Sequence, residues 1–126
     1  PIWQAVSRDG GKTWRARPTE IDARQTPPSG LVKLNDGRLV LVYGYRDAPS
    51  GIRALVSEDE GLTWRTDHVL VLRYDGDGFD LGYPRAVKLE DETIVAVYYY
   101  ATDDRVRHIA CTRFKVPELP ARRKTD

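Results

Sequence analysis

Ser7-Arg8-Asp9-Gly10-Gly11-Lys12-Thr13-Trp14 returns as Ser57-Glu58-Asp59-Glu60-Gly61-Leu62-Thr63-Trp64, and the fold follows from that return. The offset is 50 residues, and Ser, Asp, the second Gly, Thr and Trp are kept while the positions between them change. A second match runs alongside. Val32-Lys33-Leu34-Asn35-Asp36 and Val40-Leu41-Val42-Tyr43 come back as Val87-Lys88-Leu89-Glu90-Asp91 and Val95-Ala96-Val97-Tyr98, 55 residues later. Two matches in consistent order mark a repeat protein, whose units bury their faces against one another.

Each unit reads as β-strands, and helical periodicity is absent. Leu31–Leu34 and Arg38–Tyr45 are short β-branched and aromatic runs separated by Asn-Asp-Gly, a hairpin signal. Ile52–Ser57 and Trp64–Leu72 form the next pair, joined by the second Asp motif. With strands lettered A to D, the chain supplies C and D of one unit (Ile2–Ser7 and Trp14–Ile21) and a full unit over 31–72. It then supplies A, B and C of a third (Tyr83–Leu89, Thr93–Tyr100, His108–Val116). Pro117–Asp126, with Pro120 and an Arg122-Arg123-Lys124 run, is expected to be a frayed tail.

The Asp motif has the chemistry of a tight turn. Asp9 and Asp59 can accept hydrogen bonds from loop N–H groups that would otherwise go unpaired. Gly11 and Gly61 suit a positive φ, and Ser7 and Ser57 belong to the same structural motif. Trp14 and Trp64 are expected to cover the hairpins and pack between neighbouring units. Calcium binding is set aside, because one carboxylate per loop makes a poor oxygen cage.

Composition narrows the function classes. The chain has 126 residues and a formal charge of +1, which argues against nucleic-acid binding through a general positive field. Fifteen of its twenty basic residues are Arg, which suits bidentate recognition of carboxylates, although a GC-rich genome spells basic residues the same way. The single Cys111 has no partner for an intramolecular disulfide and reads as a buried, inert thiol. No run is long enough for a transmembrane helix, so no membrane partner is expected. The chain opens at Pro1 and contains no Met, which reads as a processed or truncated start. A secreted or periplasmic location is therefore compatible with the absence of a visible signal peptide.

Ser-x-Asp-x-Gly-x-Thr-Trp, twice at this spacing, resembles the Asp-box or BNR repeat of the sialidase (neuraminidase) superfamily. The resemblance covers residues 2–116 and implies an all-β protein of propeller blades, each of four antiparallel strands. It looks like the C-terminal portion of a six-bladed propeller, with 1–116 a partial propeller and 117–126 a tail. Such boxes also occur in polysaccharide lyases and in non-catalytic proteins, so the motif points to the fold more firmly than to an activity.

Strand alternation sorts the loops. The A–B and C–D turns fall on one face of a propeller and the longer B–C and D–A connections on the other. These longer loops, with the residues bordering them, carry Arg24, Arg46, Asp47, Arg53, Asp80, Tyr83, Arg85 and Arg107 among other charges. A mouth rich in Arg and Asp suits an acidic sugar, and it also describes an ordinary solvated loop face. The family resemblance implies that Tyr83, six residues before Leu89 and eight before Asp91, is the catalytic nucleophile. A neutral phenol can attack an anomeric centre beside a carboxylate that repels anions, and Tyr nucleophiles are an exception among glycosidases. The same resemblance implies that Arg53 and Arg46 grip the sugar carboxylate, with Arg85 and Asp80 as further contacts. No metal and no organic cofactor are implied.

The departures from the family matter as well. Sialidases pair the Tyr with a Glu on an earlier inner strand, and the equivalent point here is Pro28. Asp80-Leu81-Gly82-Tyr83-Pro84-Arg85 also resembles sialidase-like proteins of unassigned specificity more than sialidases proper. Two functions stay open. One is part of an exo-α-sialidase-type glycoside hydrolase, with a uronic-acid polysaccharide lyase as its relative; the other is a non-catalytic segment that binds a glycan or a protein. The open blades call for a partner, either a homo-oligomer, such as three copies closing a ring or a dimer, or N-terminal blades outside this chain.

Overall fold

A computed structural model describes residues 1–23 and 29–123. Arg24 and Pro28 therefore lie outside the described residues. The described chain is all-β, with nine strands in three antiparallel sheets. The first sheet pairs β1 (Trp3–Val6) with β2 (Arg15–Pro18). The middle sheet runs β3 (Gly30–Lys33), β4 (Leu39–Tyr45), β5 (Gly51–Ser57) and β6 (Leu70–Arg73) in sequence order. The third runs β7 (Gly82–Lys88), β8 (Ile94–Tyr100) and β9 (His108–Phe114). Consecutive pairing of four strands is a propeller blade, and the middle sheet is a complete one.

Alternation decides which face each sheet buries. Val40, Val42, Ile52 and Ala54 point towards the third sheet and meet Ile94, Ala96, Tyr98 and Tyr100 in one core. The opposite face of β4 and β5 presents Leu41, Tyr43 and Leu55, which pack with Ile21, Ala23 and Trp64 on the side of the first sheet. The middle blade is thus apolar on both faces, as a sheet between two sheets must be. The inner strands converge: a Cβ added at Gly30 would lie 3.0 Å from the Ala86 nitrogen, so only a side-chain-free residue lets β3 and β7 come this close.

The two Asp turns are built alike. In the first, Ser7 Oγ donates to Asp9 Oδ1 at 2.8 Å, Gly11 N donates to Ser7 Oγ at 2.8 Å, and Thr13 N donates to Asp9 Oδ1 at 2.9 Å. Thr13 Oγ1 donates to the other carboxylate oxygen at 2.6 Å. In the second, the corresponding bonds of Ser57, Gly61 and Thr63 around Asp59 are 2.9, 2.8, 2.8 and 2.5 Å. Gly11 and Gly61 take φ of 89° and 84°. The Thr13 hydroxyl and amide, with Ser7, lower the Asp9 pKa to about 2. Burial pushes Asp59 upwards, but the bonds from Thr63 and Ser57 outweigh it and keep that carboxyl below its usual range.

The tryptophans of the two turns differ. Trp64 is 6% exposed and donates from Nε1 to Gln4 Oε1 at 3.1 Å. Gln4 Nε2 and Arg17 Nη2 both donate to Gly61 O, at 2.9 and 2.8 Å, so the first sheet grips the second turn from the side. Trp14 is 62% exposed and its Nε1 merely returns to Gly11 O at 3.1 Å. The expectation that both rings pack between units is therefore corrected for Trp14: among the described residues no sheet covers that side.

Three other expectations change. The last strand of the middle blade begins at Leu70, not at Trp64. Arg65 N donates to Val56 O, and then its buried guanidinium forks onto Asp67 at 2.9 Å and reaches Glu58 at 2.6 Å, which turns the chain through Thr66–His68 before the strand starts. The tail is not frayed over its described part. Pro117 O accepts from Arg38 Nη1 at 3.1 Å, Pro120 O from Arg65 Nη2 at 2.7 Å, and Arg122 Nη2 donates to Thr63 Oγ1 at 2.6 Å, so residues 117–123 strap the turn face of the middle blade. Cys111 is exposed rather than buried, because it alternates to the same open side of β9 as Ile109, which is 72% exposed.

Candidate functional site

The longer connections gather on the face opposite the Asp turns. The D–A connection, Tyr74–Leu81, leaves the outer strand β6 and crosses to the inner strand β7. It is pinned on the way: Gly76 N donates to Ser50 O at 2.9 Å and Asp77 N to Ala101 O at 2.8 Å, so it rests on the B–C loops of both blades. Leu81, fully buried, anchors its end.

Tyr83 stands where this connection becomes β7, in a bulge. Gly82 pairs with Tyr99 and Arg85 with Val97, so Tyr83 and Pro84 together face a single residue, Tyr98. Pro84 has no N–H to contribute to the ladder, and Tyr83 takes φ of 50°, in the left-handed region. A non-glycine residue held there costs about 1–3 kcal/mol. The bulge turns the Tyr83 ring outwards, leaving it 49% exposed and tilted against Tyr99 with centroids 5.8 Å apart.

Arg46, just past the end of β4, reaches across to the third blade. Its Nε donates to Leu81 O at 3.2 Å and its Nη2 to Tyr99 Oη at 3.3 Å. The guanidinium carbon lies 5.9 Å from the Phe79 ring centroid and 5.8 Å from that of Tyr83. Tyr99 Oη in turn donates to Asp80 Oδ1 at 2.7 Å, and Arg107 Nε donates to Asp80 Oδ2 at 3.0 Å. The Tyr99 hydroxyl, then Arg107 and Arg46, hold the Asp80 carboxyl below its usual range, while burial and Asp80 push the Tyr99 phenol up and keep it neutral.

The charges of this face sort into two kinds. Arg73 pairs with Asp75 at 2.9 Å, Arg105 with Asp77 at 3.5 Å and Arg107 with Asp80 at 3.0 Å, so each carboxylate of the D–A connection has its own Arg. Arg46, Arg53 and Arg85 form no carboxylate pair among the described residues, and neither does the exposed Asp47.

Not all of the residues singled out in the sequence come together. Arg46, Asp80 and Tyr83 share one cluster. Arg53 does not join it. It pairs in register with Tyr43, on the face of the middle blade towards the first sheet, and its guanidinium stacks 3.4 Å from the Tyr45 ring centroid. Arg85 donates back to Pro84 O at 3.2 Å and faces solvent from β7. Tyr99 and Arg107 were not singled out as binding residues, yet both belong to the cluster. In the run Tyr98-Tyr99-Tyr100, alternation turns the outer two into the core and Tyr99 away from it, which was the available signal.

Among the described residues no group of three or more His, Cys, Asp or Glu is placed to hold a metal ion. No helix among them is long and apolar enough to cross a membrane. A cleft of about 560 Å³ lies elsewhere, along the open edge of the first sheet, lined by Ile2, Trp3, Leu31, Leu41 and Trp64. Its walls are mostly apolar, with Gln4, Thr19 and Ser29 but no charged side chain among them, so the Arg46 cluster is the better candidate site for an acidic ligand.

Comparison with known proteins fits this architecture. No curated protein matches the chain. A solved structure of a protein of unknown function from Dyadobacter fermentans DSM 18053 is similar, with 35% identity and a TM-score of 0.73 over 90% of this chain. The chain spans only 30% of that protein. The family model described as BNR repeat-like domain matches residues 1–97, well over half of the 126 residues. With three antiparallel sheets in propeller-blade order and that match, the chain belongs to the BNR repeat-like domain family.

Proposed function

We propose that this chain is part of a sialidase-like propeller that receives an acidic sugar on its loop face, with the sugar carboxylate on Arg46 and the ring against Tyr83. The observation that supports it is the way Arg46 is held. A backbone carbonyl and a phenol fix the guanidinium, no carboxylate bonds to it directly although Asp80 is near enough to feel its charge, and several of its five N–H donors stay available for a ligand. Asp80 supports the cluster from below by tying Tyr99 and Arg107 in place. Arg85 is a contact at the rim, and Arg53 serves the neighbouring interface between the first and middle blades.

In the assembled propeller, the hydrolytic reading, that of an exo-α-sialidase-type glycoside hydrolase, has Tyr83 Oη bond to the anomeric carbon as the glycosidic C–O bond breaks. A base and an acid on other blades would take the phenol proton and protonate the leaving oxygen, and water would then release the sugar from Tyr83. A uronic-acid lyase would use the same anion grip. The second reading is a glycan-binding propeller without turnover. It is favoured by one observation: the Tyr83 side chain hydrogen-bonds to no carboxylate among the described residues, whereas Tyr99 does.

Binding and turnover separate these readings. Calorimetric titration of the protein with N-acetylneuraminic acid and with galacturonic acid should show binding of at least one. Arg46→Gln should weaken it by about ten- to a hundredfold, the range for a charge-assisted hydrogen bond of about 1.5–3 kcal/mol. Full affinity in Arg46→Gln would remove the anion site. If Tyr83→Phe left turnover of an acidic aryl glycoside unchanged, Tyr83 would not be the nucleophile; binding with no turnover in the unaltered protein would leave the second reading standing.

A further inference from the structure

We infer that the loop face where the middle and third blades meet takes an extended acidic oligosaccharide lying radially, with several sugar units engaged, rather than a single terminal sugar. This rests on the acidic-sugar reading of Arg46 and adds the length and direction of the ligand.

The D–A connection and the start of β7 together carry three exposed aromatic rings within ten residues. Tyr74 is 72% exposed, Phe79 61% and Tyr83 49%. Large exposed aromatics in a cluster mark recognition surfaces, because a ring in water gains by covering the apolar face of a ligand. Their order is set by topology. Tyr74 follows β6, the outermost strand of the middle blade, and Tyr83 lies on β7, the innermost strand of the third. Phe79 falls between them. The three rings therefore mark a path from the rim of the propeller towards its axis, and Arg46 sits at the inner end beside Phe79 and Tyr83.

The loop that carries this path is held down, as a platform must be. Its backbone is bonded to Ser50 and Ala101, and a side chain at Gly76 would collide with Leu81 and Ser50 at 2.5 and 2.7 Å. Its three carboxylates are each taken by an Arg, so they do not repel a polyanion as free charges would. One cation without a carboxylate partner at the inner end and apolar rings leading outwards fit a chain with an acid group at one unit and stacked sugar faces at the others. A single sugar on Arg46 leaves Tyr74, at the far end of the connection, without a role.

Chain length is the test. Galacturonic acid and tetragalacturonic acid, together with N-acetylneuraminic acid and its α2,8-linked tetramer, are titrated into the unaltered protein, Arg46→Gln and Tyr74→Ala. In at least one series the tetramer should bind about tenfold or more tightly than the monomer. Tyr74→Ala should abolish that gain while leaving the monomer affinity as it was; Tyr74 is exposed enough that its loss does not disturb the core. Equal affinity of monomer and tetramer, with Tyr74→Ala silent, overturns the extended-chain inference and leaves the acidic-sugar reading intact. Full affinity of Arg46→Gln for both ligands overturns that reading, and the inference with it.

Discussion

The first and second Asp turns carry the same motif and nearly the same internal bonds, yet one lies open and the other lies at an interface. Bond for bond around Asp9 and Asp59, the lengths agree within 0.1 Å. The turn is thus closed by its own residues and needs no neighbour to take shape. What the neighbour adds is burial. Gln4 and Arg17 dock on Gly61, and Trp64 enters a core while Trp14 stays in solvent. The motif holds two separable functions, a local clamp made by Ser, Asp, Gly and Thr, and a packing element made by Trp.

The sharpest way to break the comparison is through the rings. Trp64→Ala should cost about 3–5 kcal/mol in denaturant unfolding, because it opens a cavity in the core and leaves Gln4 Oε1 unpaired. Near-equal stability of Trp64→Ala and the parent would mean that the blade interface contributes little. Next in size is Asp59→Ala, expected at about 1–2 kcal/mol from the loss of hydrogen bonds that satisfy the Thr63 amide and the Ser57 and Thr63 hydroxyls. Asp9→Ala should cost less, since water replaces those partners at the open turn.

Acid should sharpen the same contrast. Both carboxyls have folded pKa values below the ordinary 3.8, so the stability they contribute is complete above that value and is lost as pH falls through the folded pKa, which for Asp9 is about 2. Unfolding followed by fluorescence should therefore show a falling limb in that window, and Asp59→Asn should flatten it; an unchanged limb would place the acid sensitivity elsewhere. The smallest effect belongs to Trp14→Ala, within about 0.5 kcal/mol, as for other exposed sites. A loss as large as that of Trp64→Ala would show that Trp14 is covered in the assembled protein.

The clamp was legible in the sequence because every bond within it spans four residues or fewer. The repeat gave strand order for the same reason: the hairpins are local and short. The candidate site was only partly legible. Arg46, Asp80 and Tyr83 are drawn together by loops that strand alternation assigned to one face. Arg53 stands apart from that cluster, since its register with Tyr43 puts it on the face of the middle blade towards the first sheet. Tyr99 was hidden between two core tyrosines, and its bond to Asp80 crosses 19 residues of sequence. The tail strap was unreadable, because Arg38, Arg65 and Thr63 recognise it through backbone carbonyls and a guanidinium that no sequence pattern announces.

The close approach of Gly30 to Ala86 sets the spacing of the inner strands. The two blades share one core from these strands outward, so a shift of a few tenths of an ångström between the inner strands is passed on to the packed faces beyond them. Arg46 belongs to one blade, and Leu81 and Tyr99 to the other. A methyl group added at Gly30, against the backbone of Arg85 and Ala86, would thus change how Arg46 meets Leu81 and Tyr99 without touching any of those three side chains.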